Sequence, residues 1–462
     1  MVETAPLPAS ARYIVQLRPA GAVPADLAAV IHQAGGTVIR SHAGMGLALV
    51  GGLSQQAATA LRARSDVRNV LPDIVRRYIP AHSLRLLAAA RPASTAGAGS
   101  TPVRTRSYPA GDPHNAAFYA AGDQWNLLAI QADTAWEVST RGSGTSVFIL
   151  DSGIDTAHVE LKGGIIDLSR CTTFAYAPTD TLQQNPLPFD ADIVGHGTFV
   201  SGMIATNGVN LASVAPQARI VMVRVVNDSG EADLFGIVNG ILYAADNGAD
   251  VINMSIGGYL ARDQSIDLTI ADLIQRVIDY AYQKGTLLVA AAGNEALNTN
   301  DAISPTGTYA DSMDYPAGMP HVLSVGATAP INQVNVDRIA SYSNFGKAGV
   351  AVFAPGGDSV AGSTDLDLLI GPCSSASNSA CATEDMYYLG AGTSFASPHA
   401  AAEAAVAKSQ SGFSLFGTSL EDCEIGSATE VSGVRRDIDY GYGVIDVLQA
   451  ATKCRNPWTF VP

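Results

Sequence analysis

Charged residues and long apolar runs are both scarce in this chain. Only 15% of the 462 residues are Asp, Glu, Lys or Arg, whereas 47% are hydrophobic. This balance is typical of a folded protein with a large core and excludes a mostly disordered one. No apolar stretch is long enough to span a bilayer, and the first residues lack a basic region followed by an apolar one. We expect either a protein that is not exported through a standard signal or one whose signal lies outside this sequence.

Basic residues are fewer than acidic ones, with 27 Lys and Arg against 42 Asp and Glu. The resulting net charge of −15 disfavours nucleic acid and anionic membranes as partners, because an acidic surface repels both. We therefore expect neither a nucleic-acid partner nor a membrane partner.

Cysteine is rare, with five residues, and none lies in a CxxC or CxxH pattern that would indicate a zinc or redox site. Cys373 and Cys381 enclose a small polar loop that a disulfide would clamp, and Cys423 and Cys454 could fasten the C-terminal segment in the same way. We predict these two disulfides and leave Cys171 unpaired; the alternative is buried free thiols. Disulfides are typical of secreted proteins, so we expect secretion.

Three short motifs contain the residues of a catalytic triad. The apolar run Val147–Leu150 ends in Asp151, His196 lies between two glycines, and Ser394 precedes an alanine-rich helical pattern. An α/β sheet can bring three such distant residues together at its rim. Taken separately, the Asp is also typical of a turn, the His of a structural position and the Ser of a helix N-cap. Together they supply an acid, a base and a nucleophile.

The order Asp, His, Ser and the residues around each one resemble the subtilisin-like serine proteases. The resemblance extends over nearly the whole chain after residue 12. It implies an α/β fold with a three-layer catalytic domain and a mostly parallel sheet. It also implies a serine endopeptidase that hydrolyses protein substrates through an acyl-enzyme and needs no cofactor for its chemistry. Ser394 would attack, His196 would take and return the proton, and Asp151 would hold the imidazole.

Further roles follow from the same resemblance. Asn294, after an alanine run, matches the oxyanion-hole asparagine of the family, with the Ser394 N–H as second donor; an Asn after Gly is otherwise a common turn residue. Segments 253–258 and 228–234 resemble the family strands that hold an extended substrate. The substrate-binding residues assigned in these segments are Ser255, Ile256, Gly257, Gly258, Gly230 and Leu234.

Asp314 directly precedes Tyr315 and Pro316, and the family residue at this place lies at the base of the main specificity pocket. A carboxylate there would favour Lys or Arg before the scissile bond, because it would pair with the buried cation. The alternative is a solvated surface aspartate, since the loop that leads to Asp314 is longer than usual.

The first quarter of the sequence divides into segments that differ in composition and in hydrophobic pattern. Residues 12–79 alternate strand-like and helix-like patterns in β-α-β-β-α-β order, which predicts a small ferredoxin-like α+β domain over 12–85. This domain resembles the family propeptide, which assists folding and occupies the active site until it is removed; an unrelated small domain is the alternative. Residues 86–111 predict a flexible linker that contains or adjoins the processing site. We assign 1–11 to an N-terminal extension and 112–462 to the catalytic domain.

Some positions depart from the family pattern. Phe199 replaces the second His, Ser201 stands at the small-residue position that follows, and Phe395 replaces the Met after the nucleophile. Glu160 stands where calcium-bound relatives place a carboxylate ligand, but the loop 205–210 is shorter than theirs. One acid does not make a calcium site, so structural calcium and any other metal stay open.

The rival from another class is an inactive protein that binds peptides in the same groove without turnover. Retention of the whole catalytic set argues against it. A zinc metalloprotease has less support, because no HExxH motif is present. We expect a monomeric zymogen whose partners are protein or peptide substrates and its own propeptide as an intramolecular inhibitor.

Overall fold

The computed structural model describes residues 11–18, 20–79, 84–87, 108–109, 111–301, 312–382 and 386–455. The predicted N-terminal extension lies outside these residues apart from Ala11, and so does most of the predicted linker. The last two residues of the predicted propeptide and the first two of the predicted linker, Leu84–Leu87, form a strand.

The N-terminal unit is an antiparallel sheet covered by helices, with strand order β2-β3-β1-β4. Its elements are β1 (Ala11–Leu17), α1 (Ala25–Gln33), β2 (Thr37–His42), β3 (Leu47–Leu53), α2 (Gln55–Arg62) and β4 (Val67–Pro72). Side chains alternate across β1: Val15 packs in a core with Leu27 and Leu61 of the two helices, whereas Ile14 belongs to a core shared with the larger unit. The sheet is therefore buried on both faces.

The rest of the described chain contains short connecting strands and one large sheet. The strands are β5 (Val75–Arg77), β6 (Leu84–Leu87), β7 (Ser146–Asp151), β8 (Thr172–Thr173), β9 (Arg219–Arg224), β10 (Glu231–Asp233), β11 (Val251–Met254), β12 (Gly258–Ala261), β13 (Leu287–Ala291), β14 (Ser312–Tyr315), β15 (Val322–Thr328), β16 (Val352–Pro355), β17 (Leu369–Pro372) and β18 (Tyr387–Gly390). The helices are α3 (Ala117–Ala121), α4 (Trp125–Ala129), α5 (Ala132–Val138), α6 (His196–Ile204), α7 (Leu234–Asp246), α8 (Ser265–Gln283), α9 (Thr393–Gln410), α10 (Thr418–Ser427) and α11 (Val447–Lys453).

The large sheet is parallel, with order β16-β15-β13-β11-β7-β9-β8. Strand β7 shows how its sequence produces three layers. Val147 and Ile149 pack on the side of α6 and α9, and Phe148 and Leu150 pack on the side of α7 and α8. A parallel strand buried on both faces has a continuous apolar sequence, which is what made this segment recognisable. The predicted α/β fold with a smaller α+β unit is confirmed.

Helix α9 lies inside this architecture rather than on its surface. Ala400, Ala401 and Ala402 are fully buried, and the helix contacts β11, β13, β15 and α6. A helix buried on all sides lacks an amphipathic pattern, and its small side chains allow neighbouring elements to approach closely. The helix therefore holds its first residues rigidly at the carboxyl edge of the sheet.

Both predicted disulfides are present, joining Cys373 to Cys381 and Cys423 to Cys454, and Cys171 is free. Burial raises the pKa of the Cys171 thiol to about 11, so this thiol is protonated and unreactive at neutral pH. None of the helices in the described ranges is long and apolar enough to cross a bilayer.

A pair of glutamates is buried between α9 and α10. Glu403 and Glu424 are both fully buried, and Ser427 donates a hydrogen bond of 3.1 Å to Glu403. Burial first, and then the charge of Glu403, raise the pKa of Glu424 well above its ordinary value of 4.5. The folded protein therefore favours the protonated form of this carboxyl.

Replacing Glu424 with Gln should raise the free energy of unfolding relative to wild type, and this gain should be larger at pH 8 than at pH 4. Because the pKa of Glu424 is higher in the folded state than in the unfolded state, the wild-type free energy of unfolding falls as pH rises above about 4.5, by up to about 1.4 kcal/mol per pH unit for one group. Denaturant unfolding of wild type and of E424Q at both pH values measures this. The exposed Glu430 gives the control E430Q; equal pH dependence in both variants would contradict the expectation.

Candidate active site

Asp151 and His196 meet at the carboxyl edge of the large sheet. Asp151 is the last residue of β7 and His196 is the first residue of α6. The His196 Nδ1 lies 2.9 Å from Asp151 Oδ1 and 3.1 Å from Oδ2, and both side chains are buried. Holding the proton on Nδ1 leaves Nε2 as an acceptor, which is the tautomer that a general base needs.

Two glycines explain why the sequence folds this way around His196. Gly195, before the first helical residue, has a φ of 81°, a conformation that other residues rarely adopt. A Cβ on Gly197 would lie 2.2 Å from the carbonyl oxygen of Gly153. Only a glycine therefore lets α6 approach the loop that follows β7.

Asp192 is a buried carboxylate beside this pair that the sequence analysis missed. It accepts hydrogen bonds from Thr198 N at 2.8 Å and Oγ1 at 2.7 Å, from Ser152 Oγ at 2.8 Å, and from Gly195 N at 2.9 Å. These bonds fix the first turn of α6 to the end of β7. The only signal in the sequence was an Asp four residues before His196, and nothing in the pattern marks it as buried.

The electrostatic surroundings of His196 favour its charged form. Burial opposes protonation, but the charge and hydrogen bond of Asp151, together with the charge of Asp192, outweigh it and raise the pKa of His196 above 6.5. These neighbours therefore stabilise the imidazolium that forms when His196 accepts a proton.

Ser394 is joined to Ser255 by two reciprocal hydrogen bonds. Pro398 lies inside α9 and has no N–H for the carbonyl of Ser394, four residues earlier. The Ser255 hydroxyl donates to that carbonyl instead, at 2.6 Å, and the Ser394 hydroxyl donates to the carbonyl of Ser255 at 3.2 Å. Among the described residues, the Ser394 hydroxyl is thus bonded to Ser255 and not to His196.

Asn294 lies at the opening of the same helix. Its Oδ1 accepts two hydrogen bonds from Thr393, from the backbone N and from Oγ1, each at 2.9 Å. The amide is therefore oriented with its Nδ2 available as a donor. The N–H of Ser394 lies in the first turn of α9, where backbone donors have no acceptor within the helix. Thr393, which the sequence analysis assigned no role, sets the direction of the Asn294 side chain.

Ser255–Gly258 connect β11 to β12, beside Ser394. Ile256 is buried and contributes to the core rather than to an open groove. A Cβ on Gly257 would lie 3.4 Å from the carbonyl oxygen of Tyr315 and 3.8 Å from Asp314 Oδ1. The structure therefore brings the glycine segment and Asp314 to the same place, as β12 pairs with β14.

The segment that follows the N-terminal unit pairs with the other predicted binding strand. Strand β5 pairs antiparallel with β10, and the N–H groups of Tyr78 and Ile79 donate to the carbonyl of Gly230 at 2.9 and 3.1 Å. A Cβ on Gly230 would lie 2.4 Å from the carbonyl oxygen of Ile79, so the contact needs glycine. The Leu234 side chain is buried in the core, and its N–H donates to the carbonyl of Ile74 at 2.9 Å; its substrate-binding role stays a prediction.

Asp314, near Gly257, interacts with a second carboxylate, Glu295. Burial, and next the charge of Glu295, raise the pKa of Asp314 well above 3.8. Glu295 accepts a hydrogen bond from Tyr259, whose hydroxyl in turn accepts one from Asn344 at 2.7 Å. Glu295 was not singled out in the sequence, because its role depends on a neighbour brought close by the β12–β14 pairing.

The two phenylalanines that depart from the family pattern pack against each other. The Phe199 and Phe395 rings are 4.2 Å apart, and the Phe395 ring lies 5.3 Å from His196. A Cβ on Gly371 or Gly390 would meet Phe199 or Phe395 within 2.7 Å. The neighbouring strands therefore use glycine where the larger rings need room.

The surroundings of Glu160 do not fit a calcium ion. Its carboxylate accepts the backbone N–H groups of Val209, Asn210 and Leu211 at 3.1, 2.6 and 2.9 Å, and the Tyr387 hydroxyl at 2.9 Å. Calcium needs oxygen ligands directed at it, whereas this loop directs N–H donors at the carboxylate. Within the described residues, no cluster of His, Cys, Asp and Glu could hold a metal ion.

Comparison with known proteins agrees with this geometry. The sequence model of the Subtilase family matches residues 142–443, well over half of the chain, and the chain belongs to this family. It is 34% identical over 281 residues to the thermophilic serine proteinase of Bacillus sp. (strain AK1), covering 60% of this chain and 55% of that protein. It is 33% identical over 230 residues to thermitase of Thermoactinomyces vulgaris, covering 49% and 68%. The chain thus spans little more than half the length of the first relative.

Solved structures share the fold over a larger part of the chain. The crystal structure of the epidermin leader peptide processing serine protease of Staphylococcus aureus has a TM-score of 0.73 and 21% identity, covering 96% of this chain and 98% of that one. At this identity the likeness shows the fold alone. A lanthipeptide protease is 25% identical, with a TM-score of 0.59, and covers 71% of this chain and 94% of its own. The resemblance predicted from the sequence is confirmed.

Replacing Asp192 with Asn should move the acidic limb of the activity profile to lower pH. Removing this negative charge lowers the pKa of His196, so the neutral imidazole that acts as base persists at lower pH. The pH dependence of kcat/KM on a small peptide measures the shift. The exposed Asp190 gives the matched control D190N; acidic limbs that coincide in wild type and D192N would contradict this account of His196.

Proposed function

We propose that this protein is a serine endopeptidase that is made as a zymogen. The observation that carries the proposal is the buried Asp151–His196 pair, 2.9 Å apart, beside the N-terminus of the helix that holds Ser394. The relatives named proteinase or protease support it.

The reaction would begin when the Ser394 hydroxyl turns from Ser255 toward His196 Nε2. His196 would take the proton as Ser394 Oγ attacks the peptide carbonyl, and Asp151 would stabilise the imidazolium. The Asn294 Nδ2 and the Ser394 N–H would bind the oxyanion. His196 would then protonate the leaving amine, and water would hydrolyse the acyl-enzyme by the same steps. The chain itself would supply every group in these steps, so no cofactor would be needed.

The contacts of the N-terminal unit support a role as an intramolecular inhibitor. Arg12 forms ion pairs of 2.9 Å with Asp73 and 3.0 Å with Asp233, and Asp73 accepts the Phe235 N–H at the start of α7. With β5 paired to β10, these contacts exclude another extended chain from the same strand edge. We accordingly propose that the propeptide lies within 12–85 and that 112–462 form the catalytic domain.

The contacts of Ile79 and Leu84 support a self-processing bond between these two residues. Ile79 is bonded to Gly230 on one side of the cleft. Leu84 pairs with Gly390, at the end of β18 that leads into Ser394, and Leu87 pairs farther away. We infer that the processed bond lies in the segment that joins these two contacts. This position lies just before the linker predicted from composition.

The full chain should lose its N-terminus by a cut after one of residues 79–83, and the processed enzyme should cleave casein. Intact-mass spectrometry of wild type and S394A, incubated at neutral pH, measures both processing and the mature N-terminus. The variant should stay whole and leave casein intact, because Ser394 is the nucleophile. If the wild type also stayed whole, and cleaved no casein even after an added protease had removed its propeptide, the groove would be a binding site without turnover.

For specificity we propose a preference for Lys or Arg before the scissile bond. Asp314, near Gly257, and Glu295, close to Asp314, make this region acidic. A substrate cation bound there would offset the free-energy cost of holding the two carboxylates close together. Residues 80–83 include no Lys or Arg. Self-processing would then cut a sequence that lacks the preferred basic residue. This cut would still proceed, because the segment belongs to the same chain and therefore has a high effective concentration at the site.

In processed enzyme, D314N should reduce the ratio of kcat/KM for Lys and Arg peptides to that for Phe and Leu peptides by at least about tenfold. The wild-type ratio should rise with pH, because Asp314 ionises only above its ordinary range. Chromogenic peptides that differ at this one residue supply the measurement, with exposed Asp263→Asn as control. A wild-type preference for Phe or Leu would rule out the acidic pocket.

We further propose that the protein is secreted and monomeric. Its two disulfides are typical of an oxidising compartment, and one relative, 29% identical over 332 residues, is a minor extracellular protease of Bacillus subtilis.

A further inference from the structure

Strand β6 continues the cleft on the far side of Ser394. It pairs antiparallel with β18 in the register Leu84 with Gly390 and Leu87 with Tyr387, and thereby adds a third strand to the sheet β17-β18-β6. Strand β18 ends two residues before Gly392, which precedes the first turn of α9. The edge of β18 therefore points away from the nucleophile along the path that the residues after a scissile bond would take.

The side chains of β6 contact the larger unit at an apolar and at a charged position. Leu84 lies against Gly390, where an added Cβ would be 3.0 Å from Leu84 Cδ2, and Leu86 and Leu87 pack on the core. Arg85 forms an ion pair of 2.5 Å with Asp365, and both side chains are a little more than half exposed.

Asp365 is held in place by its own local structure. It begins a short 3₁₀ turn, Asp365–Asp367, in which the Thr364 N–H donates to Asp367 at 2.6 Å. Asp367 also accepts the N–H groups of Asn332 and Gln333, each at 2.8 Å. The Asp365 carboxylate is therefore presented beside β6 by a fixed backbone.

We propose that the edge of β18 binds the residues that follow the scissile bond, and that Asp365 selects a basic residue at the position opposite Leu389. Its first occupant is the chain's own Leu84–Leu87, and an extended substrate with a basic residue at the same place is the class it would take. Backbone pairing along an open edge supplies affinity, and the side chain opposite Asp365 supplies selectivity. This inference rests on the proposed endopeptidase function.

The experiment follows self-processing of the full chain after cell-free synthesis, by intact mass against time. R85E and D365R should each slow processing by about two- to fivefold, the range expected for an exposed ion pair. The double variant R85E/D365R should recover most of the wild-type rate, because the pair is restored with reversed charges. The exposed residues Arg435 and Asp439 give the controls R435E and D439N, which should process at the wild-type rate.

The strand pairing is tested with proline. Along an antiparallel edge, alternate residues direct their N–H groups to the partner strand. Of R85P and L86P, each compared with the alanine variant of the same position, one should therefore slow processing by about tenfold and the other by much less. Thermal unfolding of every variant in the Ser394→Ala background separates slower processing from failure to fold.

The outcomes separate this inference from the function it rests on. If wild type neither processes itself nor cleaves casein, the proposed function fails and the inference fails with it. If casein is cleaved but the cut lies outside Ile79–Leu84, or the charge reversals do not compensate each other, the inference alone is overturned. Compensation together with one sensitive proline position would establish it.

Discussion

The reciprocal hydrogen bonds between Ser255 and Ser394 are the interaction on which the active-site geometry depends. Pro398 leaves the carbonyl of Ser394 without its helical donor, and a buried carbonyl without a partner costs about 1–3 kcal/mol. The Ser255 hydroxyl satisfies it at 2.6 Å. This contact thus joins the helix that holds Ser394 to the segment that follows β11.

Ion pairs join the N-terminal segment to the larger unit. The N-terminal segment brings arginines to acids of the larger unit: Arg12 to Asp233 at 3.0 Å, Arg76 to Asp267 at 3.8 Å and Arg85 to Asp365 at 2.5 Å. Other carboxylates of the larger unit lie near His196 and Gly257. An acidic body that binds a basic segment of its own chain is consistent with the net charge of −15 and with the cationic substrates we propose.

The sequence was sufficient where a role is tied to a local pattern. The glycines around His196 and the apolar run before Asp151 marked their elements, because backbone approach and two-sided burial each demand particular residue types. Asp192, Glu295 and Asp365 were missed, since each acquires its surroundings from segments distant in sequence. Leu84 and Leu87 were placed in propeptide and linker because a short strand that pairs with β18 leaves almost no local signal. Leu234 illustrates the converse: the motif identified the segment, but it did not show that the Leu234 side chain lies in the core.

The central claim is that Asp151 and His196 activate Ser394 in a working site. Labelling with a fluorophosphonate, which reacts only with an activated serine, tests it most directly. Peptide mass spectrometry of the processed enzyme should find the label on Ser394, and H196A should abolish it, while S432A at an exposed serine leaves it unchanged. A processed, folded enzyme that takes up no label, or carries it on another serine, would contradict the account.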